Sequence, residues 1–269
     1  NSKLLTYFDV QFCLCLYCIK NKKPMNTLVI IPSRLSATRL PGKPLLKING
    51  LSIISHVFKN AQEANIGEVI VATEDQEIVD DVKQNGGQVI LTKNTHKTGT
   101  DRIYEALQKI DNSNIDLVMN LQGDEPLMNV EDIKNLHNQM IKNESGFGTL
   151  ASIITKKKSF QDQNIVKVMT KKNLDTSNFP EALNFMRKVD VQNGKIYHHL
   201  GIYCYKKEVL KTFISLDQSP NEIKNRLEQL RALDNNIEIN VALAKFSPIG
   251  VDTEEDFVAI KKIMEYKLK

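Results

Sequence analysis

The chain has 269 residues, of which 41% are apolar, 25% charged and 6% aromatic. This is the composition of a globular protein with a substantial core, and it excludes a disordered chain, a collagen and a coiled coil. Of the formal net charge of +4, +3 falls in the first 24 residues, so the remainder is almost neutral. A nearly neutral body gives no reason to propose nucleic acid as a partner.

The first 24 residues differ in composition from the rest. They hold an apolar run over 4–19, a basic cluster over 20–23 and all the cysteines except Cys204. The run is shorter than the ~20 residues of a membrane-spanning helix, and the basic residues follow it, unlike those of an export signal. We therefore expect residues 1–24 to be a poorly ordered leader upstream of a natural start at Met25, with a membrane anchor as the alternative. Because no disulfide framework exists, we expect a cytoplasmic location and no membrane partner.

After Met25, short β-branched runs alternate with amphipathic stretches. The pattern predicts strands at 28–31, 68–72, 89–91 and 116–121, each followed by a helix, at 52–64, 75–85, 100–110 and 130–143. This alternation is typical of βαβ units on a mostly parallel sheet. In such sheets, ligands bind at the carboxyl ends of the strands.

The second half is less regular. It predicts strands at 148–154, 165–169, 182–186, 199–205 and 238–244, and helices at 207–213, 221–233 and from Thr253. The chain contains no obvious linker, repeat or low-complexity tract. We therefore expect one α/β domain over 25–269, with a mostly parallel sheet and a smaller inserted lobe.

A basic, glycine-containing loop follows the first predicted strand. Residues 33–44 read SRLSATRLPGKP and bring together Arg34, Arg39 and Lys43. Cations and backbone N–H groups at the end of a strand suit a polyphosphate, whereas a solvated basic turn is the alternative. The spacing is neither GxxxxGK[ST] nor GxGxxG, so an ATPase or a dehydrogenase lacks its usual support.

Two acidic segments are candidate metal sites. Asp124 follows the fourth predicted strand within QGDEP, and Asp252 lies in GVDTEED. Mg²⁺ prefers one or two carboxylates and leaves positions for substrate phosphates. The alternatives are a turn at Asp124 beside Pro126, and a helix N-cap at Asp252 or Thr253. We interpret the acids at 254–256 as favouring the helix dipole.

The chain resembles the CMP-Kdo synthetase family, the 3-deoxy-manno-octulosonate (Kdo) cytidylyltransferases. It contains, in the family's order and approximate spacing, the segments IIPSRLSATRLPGKPLLKING, VATED, HKTGTDR, NLQGDEP, HHLGIYCY, RLEQLR and GVDTEED. The resemblance covers essentially Met25 to the C-terminus. It implies a Rossmann-like nucleotidyltransferase fold, Mg²⁺ as cofactor, a homodimer, and CMP transfer from CTP to Kdo for lipopolysaccharide biosynthesis.

The resemblance also implies roles for individual residues, with 25–147 binding mainly the nucleotide and 148–269 mainly the sugar and the second subunit. The implied nucleotide-binding residues are Arg34, Arg39, Lys43, Thr98, Gly99, Thr100, Arg102 and Gln122. The implied sugar-binding residues are Arg187, His199, Tyr203, Glu228 and Gln229. The implied Mg²⁺ ligands are Asp124 and Asp252, and the implied catalytic residues are Arg34, Lys43, Asp124 and Asp252.

The residue types at the implied sugar site suit a sugar acid. Arg187 offers a cation for a carboxylate, and the pair Glu228 and Gln229 offers polar partners for hydroxyls. From the residues alone, Glu228 is equally a surface carboxylate on the predicted helix 221–233, and His199 is equally a hydrogen-bonded strand histidine.

The segment after Arg187 departs from the family pattern. Residues 188–197 form a shorter stretch than usual, and His198 stands where the family has a cation. The 8-amino analogue of Kdo and sialic acid are therefore alternative sugars. A regulatory protein that binds nucleotide without turnover is the alternative from another class, and two metal carboxylates beside Lys43 argue against it.

Overall fold

A computed structural model describes residues 25–36, 39–189, 195–248 and 250–266. The expectations for residues 1–24 therefore lie outside the described residues. The strands are β1 (Thr27–Ser33), β2 (Lys47–Ile48), β3 (Leu51–Ser52), β4 (Glu68–Thr73), β5 (Gln88–Leu91), β6 (Leu117–Asn120), β7 (Phe147–Ser152), β8 (Lys167–Thr170), β9 (Ala182–Met186), β10 (Ile196–Lys206) and β11 (Asn240–Leu243). The helices are α1 (Ile53–Ala64), α2 (Gln76–Gln84), α3 (Gly99–Gln108), α4 (Val130–Asn143), α5 (Lys207–Ser215), α6 (Pro220–Asn225), α7 (Leu230–Asp234) and α8 (Glu254–Tyr266).

One mixed sheet runs through the described part of the chain, in the order β11–β7–β10–β6–β1–β4–β5. Strands β6, β1, β4 and β5 are parallel, as are β11 and β7, whereas β10 is antiparallel to both β6 and β7. Strand β8 pairs with β10 and with β9 to form an antiparallel extension. This topology confirms the predicted α/β fold with a mostly parallel sheet, and the extension matches the predicted smaller lobe.

Helices cover both faces of the sheet. Every residue of β1 is buried. Leu28 and Ile30 pack in the layer that includes α3 and α5, while Val29 and Ile31 pack in the layer that includes α1, α2 and α4. Burial on both faces explains why this strand reads as a continuous apolar run.

A short hairpin of β2 and β3 is absent from the predicted elements. Asn49 and Gly50 form its turn with φ values of +50° and +80°. Asn-Gly between two short runs is a strong hairpin signal, because both central residues of this turn need positive φ. The hairpin ends at Ser52, whose hydroxyl caps α1 by accepting from the N–H of Ser55 at 3.2 Å.

The prediction of one helix over 221–233 is wrong. The chain forms α6 and α7 instead, separated at Arg226, whose φ is +52°. Glu222 and Arg231 form a buried ion pair across this bend. Residues nine apart in a continuous helix lie on opposite faces and roughly 13 Å apart, so that pair requires the bend. The other predicted elements are confirmed to within two residues at each end, except that β10 begins three residues earlier than expected.

Candidate active site

Two adjoining cavities open beside the carboxyl ends of β1 and β6. The first, of about 310 Å³, lies between the loop after β1, the segment before α3 and the turn after β6. The second, of about 880 Å³, lies between β10, the bend joining α6 to α7 and the loop after β11. Gly99, Gln122, Asp124 and Asp252 line both. The arrangement suits two ligands that meet at this shared wall.

The loop after β1 is held by hydrogen bonds that its backbone N–H groups donate. The N–H of Leu35 donates to Oδ2 of Asp75 at 2.7 Å, and the N–H of Gly42 donates to the carbonyl of Leu35 at 3.2 Å. Gly42 has a φ of +70°, which glycine adopts at little cost. The described part of this loop contributes cations to the first cavity, namely Arg34, Arg39 and Lys43.

Lys43 is the centre of a charge cluster at the shared wall. Its Nζ donates to Oδ2 of Asp124 at 2.6 Å, to Oδ1 of Asp252 at 3.2 Å and to the carbonyl of Val251 at 2.9 Å. Arg39 contacts the other oxygen of Asp252 at 3.1 Å. Burial by itself lowers the pKa of Lys43, but the two carboxylates outweigh burial and raise that pKa, so the ammonium stays charged.

The structure rejects the helix-cap interpretation of Asp252. The cap of α8 is formed by Thr253 and Asp256, since Thr253 Oγ1 accepts from the N–H of Asp256 at 3.2 Å and Asp256 Oδ2 accepts from the N–H of Thr253 at 2.9 Å. The carboxylate of Asp252 instead contacts Lys43 and Arg39. Asp252 is therefore free of the capping role and faces the cavities.

Asp124 and Asp252 fit the predicted Mg²⁺ role. Both carboxylates reach one cationic group, the ammonium of Lys43, beside an open cavity. Two carboxylates are the donors that Mg²⁺ combines with substrate phosphates and water. The described residues contain no group of three or more His, Cys, Asp or Glu side chains arranged for a metal. Metal binding at this pair stays a prediction.

The segment before α3 is fixed by its own side chains. Thr98 and Asp101 form a capping box, in which Asp101 accepts from the N–H of Thr98 at 3.0 Å. The buried guanidinium of Arg102 pairs with the carboxylate of Glu74 and donates to the hydroxyl of Thr92 at 2.6 Å. Arg102 thus anchors the segment that presents Thr98 to the first cavity, and its predicted contact with the nucleotide remains a prediction.

The turn after β6 brings Asp124 to the edge of the sheet. A Cβ on Gly123 would lie 2.9 Å from the carbonyl oxygen of Pro32, so only glycine lets the turn pack this closely against β1. Gln122, which lines both cavities, donates to Oδ1 of Asn120 at 3.2 Å. Close packing of two strand ends therefore sets the positions of Gln122 and Asp124.

The second cavity brings together His199, Tyr203, Glu228 and Gln229 from the predicted sugar-binding set, and Thr100 from the predicted nucleotide-binding set. Thr100 donates to Oε2 of Glu228 at 2.9 Å, and the Tyr203 hydroxyl donates to Oε1 of Gln229 at 3.3 Å. Burial raises the pKa of Glu228 to about 6, against the opposing effect of the Thr100 hydrogen bond. Glu228 is thus a partly buried cavity residue, and the surface interpretation is wrong.

His199 is buried on β10 and also borders the second cavity. Burial, followed by the influence of His198, lowers the pKa of His199 to about 3, so its ring is neutral. The hydroxyl of Thr149 donates to the carbonyl of Ile202 at 2.7 Å and therefore accepts from Nε2 of His199 at 3.0 Å. The ring proton lies on Nε2, which leaves Nδ1 as the acceptor nitrogen. His199 is a hydrogen-bonded strand residue that also lines the cavity.

Arg187 is not among the residues that line the second cavity within the described part of the chain. Its Nε donates to the carbonyl of Asn225 at 2.9 Å, and its two terminal nitrogens donate to the carbonyls of Gln163 and Arg226, each at 3.0 Å. These bonds brace the bend that carries Glu228 to the cavity. Direct binding of a sugar carboxylate by Arg187 stays a prediction.

Charged residues to which the sequence assigned no role also line the second cavity, among them Glu125, Lys156 and Arg226. Glu125 carried one signal, its place beside Asp124 in QGDEP, and Arg226 carried another as the first residue of RLEQLR, whereas Lys156 belongs to no such pattern. Burial, and then the charges of Asp124 and Asp252, raise the pKa of Glu125 to about 8.

Residues 28–239 match the family described as Cytidylyltransferase, and the chain belongs to this family. It is 40% identical to a 3-deoxy-manno-octulosonate cytidylyltransferase of Rhodopseudomonas palustris (strain BisB18), over 90% of this chain and 98% of the relative. It is 41% identical to the protein of that name from Nitrobacter winogradskyi, over 89% and 94% of the two chains. A solved CMP:2-keto-3-deoxy-manno-octonic acid synthetase complexed with CTP superposes with a TM-score of 0.81 at 32% identity, over 90% of this chain and 99% of that one.

These comparisons confirm the resemblance to the CMP-Kdo synthetases and the prediction of a nucleotidyltransferase. The predictions of a homodimer and of a cytoplasmic location are not tested by them. Among the described residues, no helix has both the length and the apolar character needed to cross a membrane.

Proposed function

We propose that the chain transfers CMP from CTP to Kdo, giving CMP-Kdo and pyrophosphate, and so supplies activated sugar for lipopolysaccharide biosynthesis. The observation that carries this proposal is the pair of cavities that meet at Asp124 and Asp252. One cavity presents cations suited to a triphosphate, and the other presents carboxyl, amide and phenol groups suited to sugar hydroxyls. The relatives' names, and the CTP bound by the solved neighbour, support the identity of the two substrates.

In the proposed reaction, the anomeric hydroxyl of the sugar attacks the α-phosphorus of CTP. A bond forms between that oxygen and the α-phosphorus, and the hydroxyl proton passes to solvent water. The bond from the α-phosphorus to the pyrophosphate oxygen breaks in line, and pyrophosphate leaves with the electron pair. Such a transfer depends mainly on positioning and on charge neutralisation. Arg34, Arg39 and Lys43 supply positive charge along the first cavity, so they would hold the triphosphate and offset its charge.

Asp124 and Asp252 are the residues that would hold Mg²⁺. When bound, the ion stabilises phosphate charge and lowers the pKa of the attacking hydroxyl, so we assign no side-chain base. Lys43 contacts both carboxylates, and its charge reduces their mutual repulsion. It thereby holds both side chains at the wall that the two cavities share.

We further propose, from the family resemblance, that the chain acts as a homodimer in the cytoplasm. Cys204 is a free, buried thiol, which suits a reducing compartment.

The proposed activity is tested by pyrophosphate release. We expect release to require both Kdo and CTP, and to be far slower with ATP, GTP or UTP. The sugar panel contains Kdo, its 8-amino analogue, sialic acid and neutral sugar phosphates. Preference for sialic acid or for a sugar phosphate would overturn the Kdo assignment, and CTP binding without release under every condition would favour the regulatory alternative.

Arg187→Ala is expected to raise the KM for Kdo about tenfold or more while the KM for CTP changes less than about twofold. Arg187 either binds the sugar carboxylate directly or supports the site by donating to the carbonyls of residues 225 and 226. In both cases the substitution removes charge-assisted hydrogen bonds, each of which contributes about 1.5–3 kcal/mol. Steady-state kinetics with each substrate varied in turn provides the measurement.

The control for this change is Lys188→Ala, which removes an exposed cation at the next position. We expect its kinetics to match those of the unmodified protein. An effect of Arg187→Ala confined to CTP would contradict its placement on the sugar side of the site.

A further inference from the structure

The carboxyl group of Glu125 has no assigned partner in the active site. Its Oε2 is shielded from solvent and forms no hydrogen bond with any described residue. The side chain lies against two glycines of the second cavity: a Cβ on Gly201 would be 3.9 Å from Oε1, and one on Gly250 would be 3.7 Å from Cγ. A polar group in such a place destabilises the protein unless something else supplies its hydrogen bond.

The position of Glu125 separates it from the phosphate side of the site. Asp124 lines both cavities, whereas Glu125 lines only the second. In the described part of the chain, Lys43 forms ion pairs with Asp124 and Asp252 and none with Glu125. The missing partner of Glu125 is therefore expected from a ligand in the second cavity.

The chemistry around Glu125 selects the kind of ligand group. A carboxylate on the ligand would bring further negative charge next to Asp124 and Asp252. An anionic ligand group is therefore disfavoured as the partner of Glu125. A hydroxyl group can donate to a carboxylate and can also accept from a carboxylic acid, so it suits Glu125 in either protonation state. Glu228, on the same cavity, accepts at Oε2 from the hydroxyl of Thr100, while its Oε1, like Oε2 of Glu125, forms no hydrogen bond with any described residue.

We propose that Glu125 binds a hydroxyl group of the acceptor sugar and positions that sugar next to Asp124. This inference rests on the proposed function, because it assumes that the second cavity takes the sugar. It makes Glu125 a sugar-specific residue of the site, distinct from the carboxylates proposed to hold Mg²⁺. In the proposed complex, the sugar supplies the hydrogen bond that no described residue supplies.

The test compares Glu125→Ala and Glu125→Gln with the unmodified protein, with the KM for Kdo and for CTP measured separately. Loss of one hydrogen bond corresponds to about a tenfold change in an equilibrium constant. We expect Glu125→Ala to raise the KM for Kdo by about that factor or more, with the KM for CTP changed less than about twofold. Glu125→Gln keeps one hydrogen-bonding oxygen and an N–H donor, so it should recover part of the loss. Glu131→Gln, which changes an exposed acid on α4, serves as the matched control.

Thermal unfolding distinguishes this role from a structural one. Because the carboxyl has no protein partner, neither variant should lower the melting temperature in the absence of sugar. A lowered melting temperature, an equal rise in both KM values, or unchanged KM values in Glu125→Ala would each overturn the inference. Failure of the unmodified protein to release pyrophosphate with Kdo would instead reject the proposed function, so the two failures are distinguishable.

Discussion

Asp252→Asn is expected to reduce the kcat for pyrophosphate release by about a hundredfold or more while the protein stays folded. Asp252 contacts Lys43 and Arg39 at the shared wall and is one of two carboxylates proposed to hold Mg²⁺. An ion that stabilises the charge of the transition state by several kcal/mol accounts for a loss of this size. We expect the same loss for Asp124→Asn. The measurement is kcat at saturating CTP, Kdo and Mg²⁺, with circular dichroism to verify folding.

Glu254→Gln is the matched control for this change, because it removes the same charge two residues away, at the start of α8 and outside both cavities. Its kcat should stay close to that of the unmodified protein. Near-normal turnover of Asp252→Asn at saturating Mg²⁺ would show that Asp252 is dispensable for the chemistry, and the metal proposal for this residue would be rejected.

The second large effect is expected at the buried ion pair between Glu222 and Arg231. Glu222→Ala should lower the free energy of unfolding by about 3–5 kcal/mol, because it leaves the buried guanidinium of Arg231 with only the looser contact to Oε1 of Glu228 at 3.8 Å. Two nitrogens of Arg231 donate to the two carboxylate oxygens of Glu222 at 2.7 and 2.8 Å, and each residue is only 3% exposed. The pair joins the two sides of the bend that carries Glu228 and Gln229, so the KM for Kdo should rise as well. Chemical denaturation measures the loss.

A double variant, Glu222→Met with Arg231→Met, provides the control. Replacing both charges by apolar groups removes the buried guanidinium that Glu222→Ala leaves without its main partner, so it should recover most of the stability lost in Glu222→Ala. A loss below about 1 kcal/mol in the single variant would show that the pair contributes no more than an exposed one.

The same pair predicts a direction for the effect of pH. Burial alone raises the pKa of Glu222, but its hydrogen bonds with Arg231, Gln218 and Ser219 and the charge of Arg231 together outweigh burial and lower the pKa below the ordinary value of 4.5. A carboxyl whose folded-state pKa is lowered stabilises the protein fully above its ordinary pKa, and this stabilisation is lost as the pH falls through the folded-state value. The difference in stability between the unmodified protein and Glu222→Ala should therefore shrink in acid.

Local patterns in the sequence predicted the strands of the parallel half of the sheet, because burial of these strands gives them continuous apolar runs. The run 28–31 is buried on both faces, and that alone identifies β1. The false helix over 221–233 shows the limit of such patterns. Ile223, Leu227 and Leu230 have helical spacing, yet Ile223 is 61% exposed while the other two are buried. A bend stabilised by an ion pair between distant positions leaves no periodic signal.

The candidate site likewise contains residues that short motifs identify and roles that only the three-dimensional structure reveals. The basic loop and the two acids have short motifs, so their residues could be named from the sequence. The choice between a cap and a metal ligand at Asp252 depended on whether Thr253 would cap α8, and only the three-dimensional arrangement decides that. The family resemblance assigns Arg187 to the sugar and its charge suits that role, whereas its contacts with the carbonyls of Asn225 and Arg226 depend on the path of the backbone.

The order of strands across the sheet makes the two halves of the chain depend on each other. Strand β10, from the second half, lies between β7 and β6, and its pairing with β6 is the seam between residues 25–147 and the remainder. A fragment ending at residue 147 would leave β6 as an open sheet edge with unpaired backbone groups, which invites self-association. The two halves, which we propose to bind mainly the nucleotide and mainly the sugar, are thus joined within one sheet. We expect that separate expression would yield neither a nucleotide module nor a sugar module.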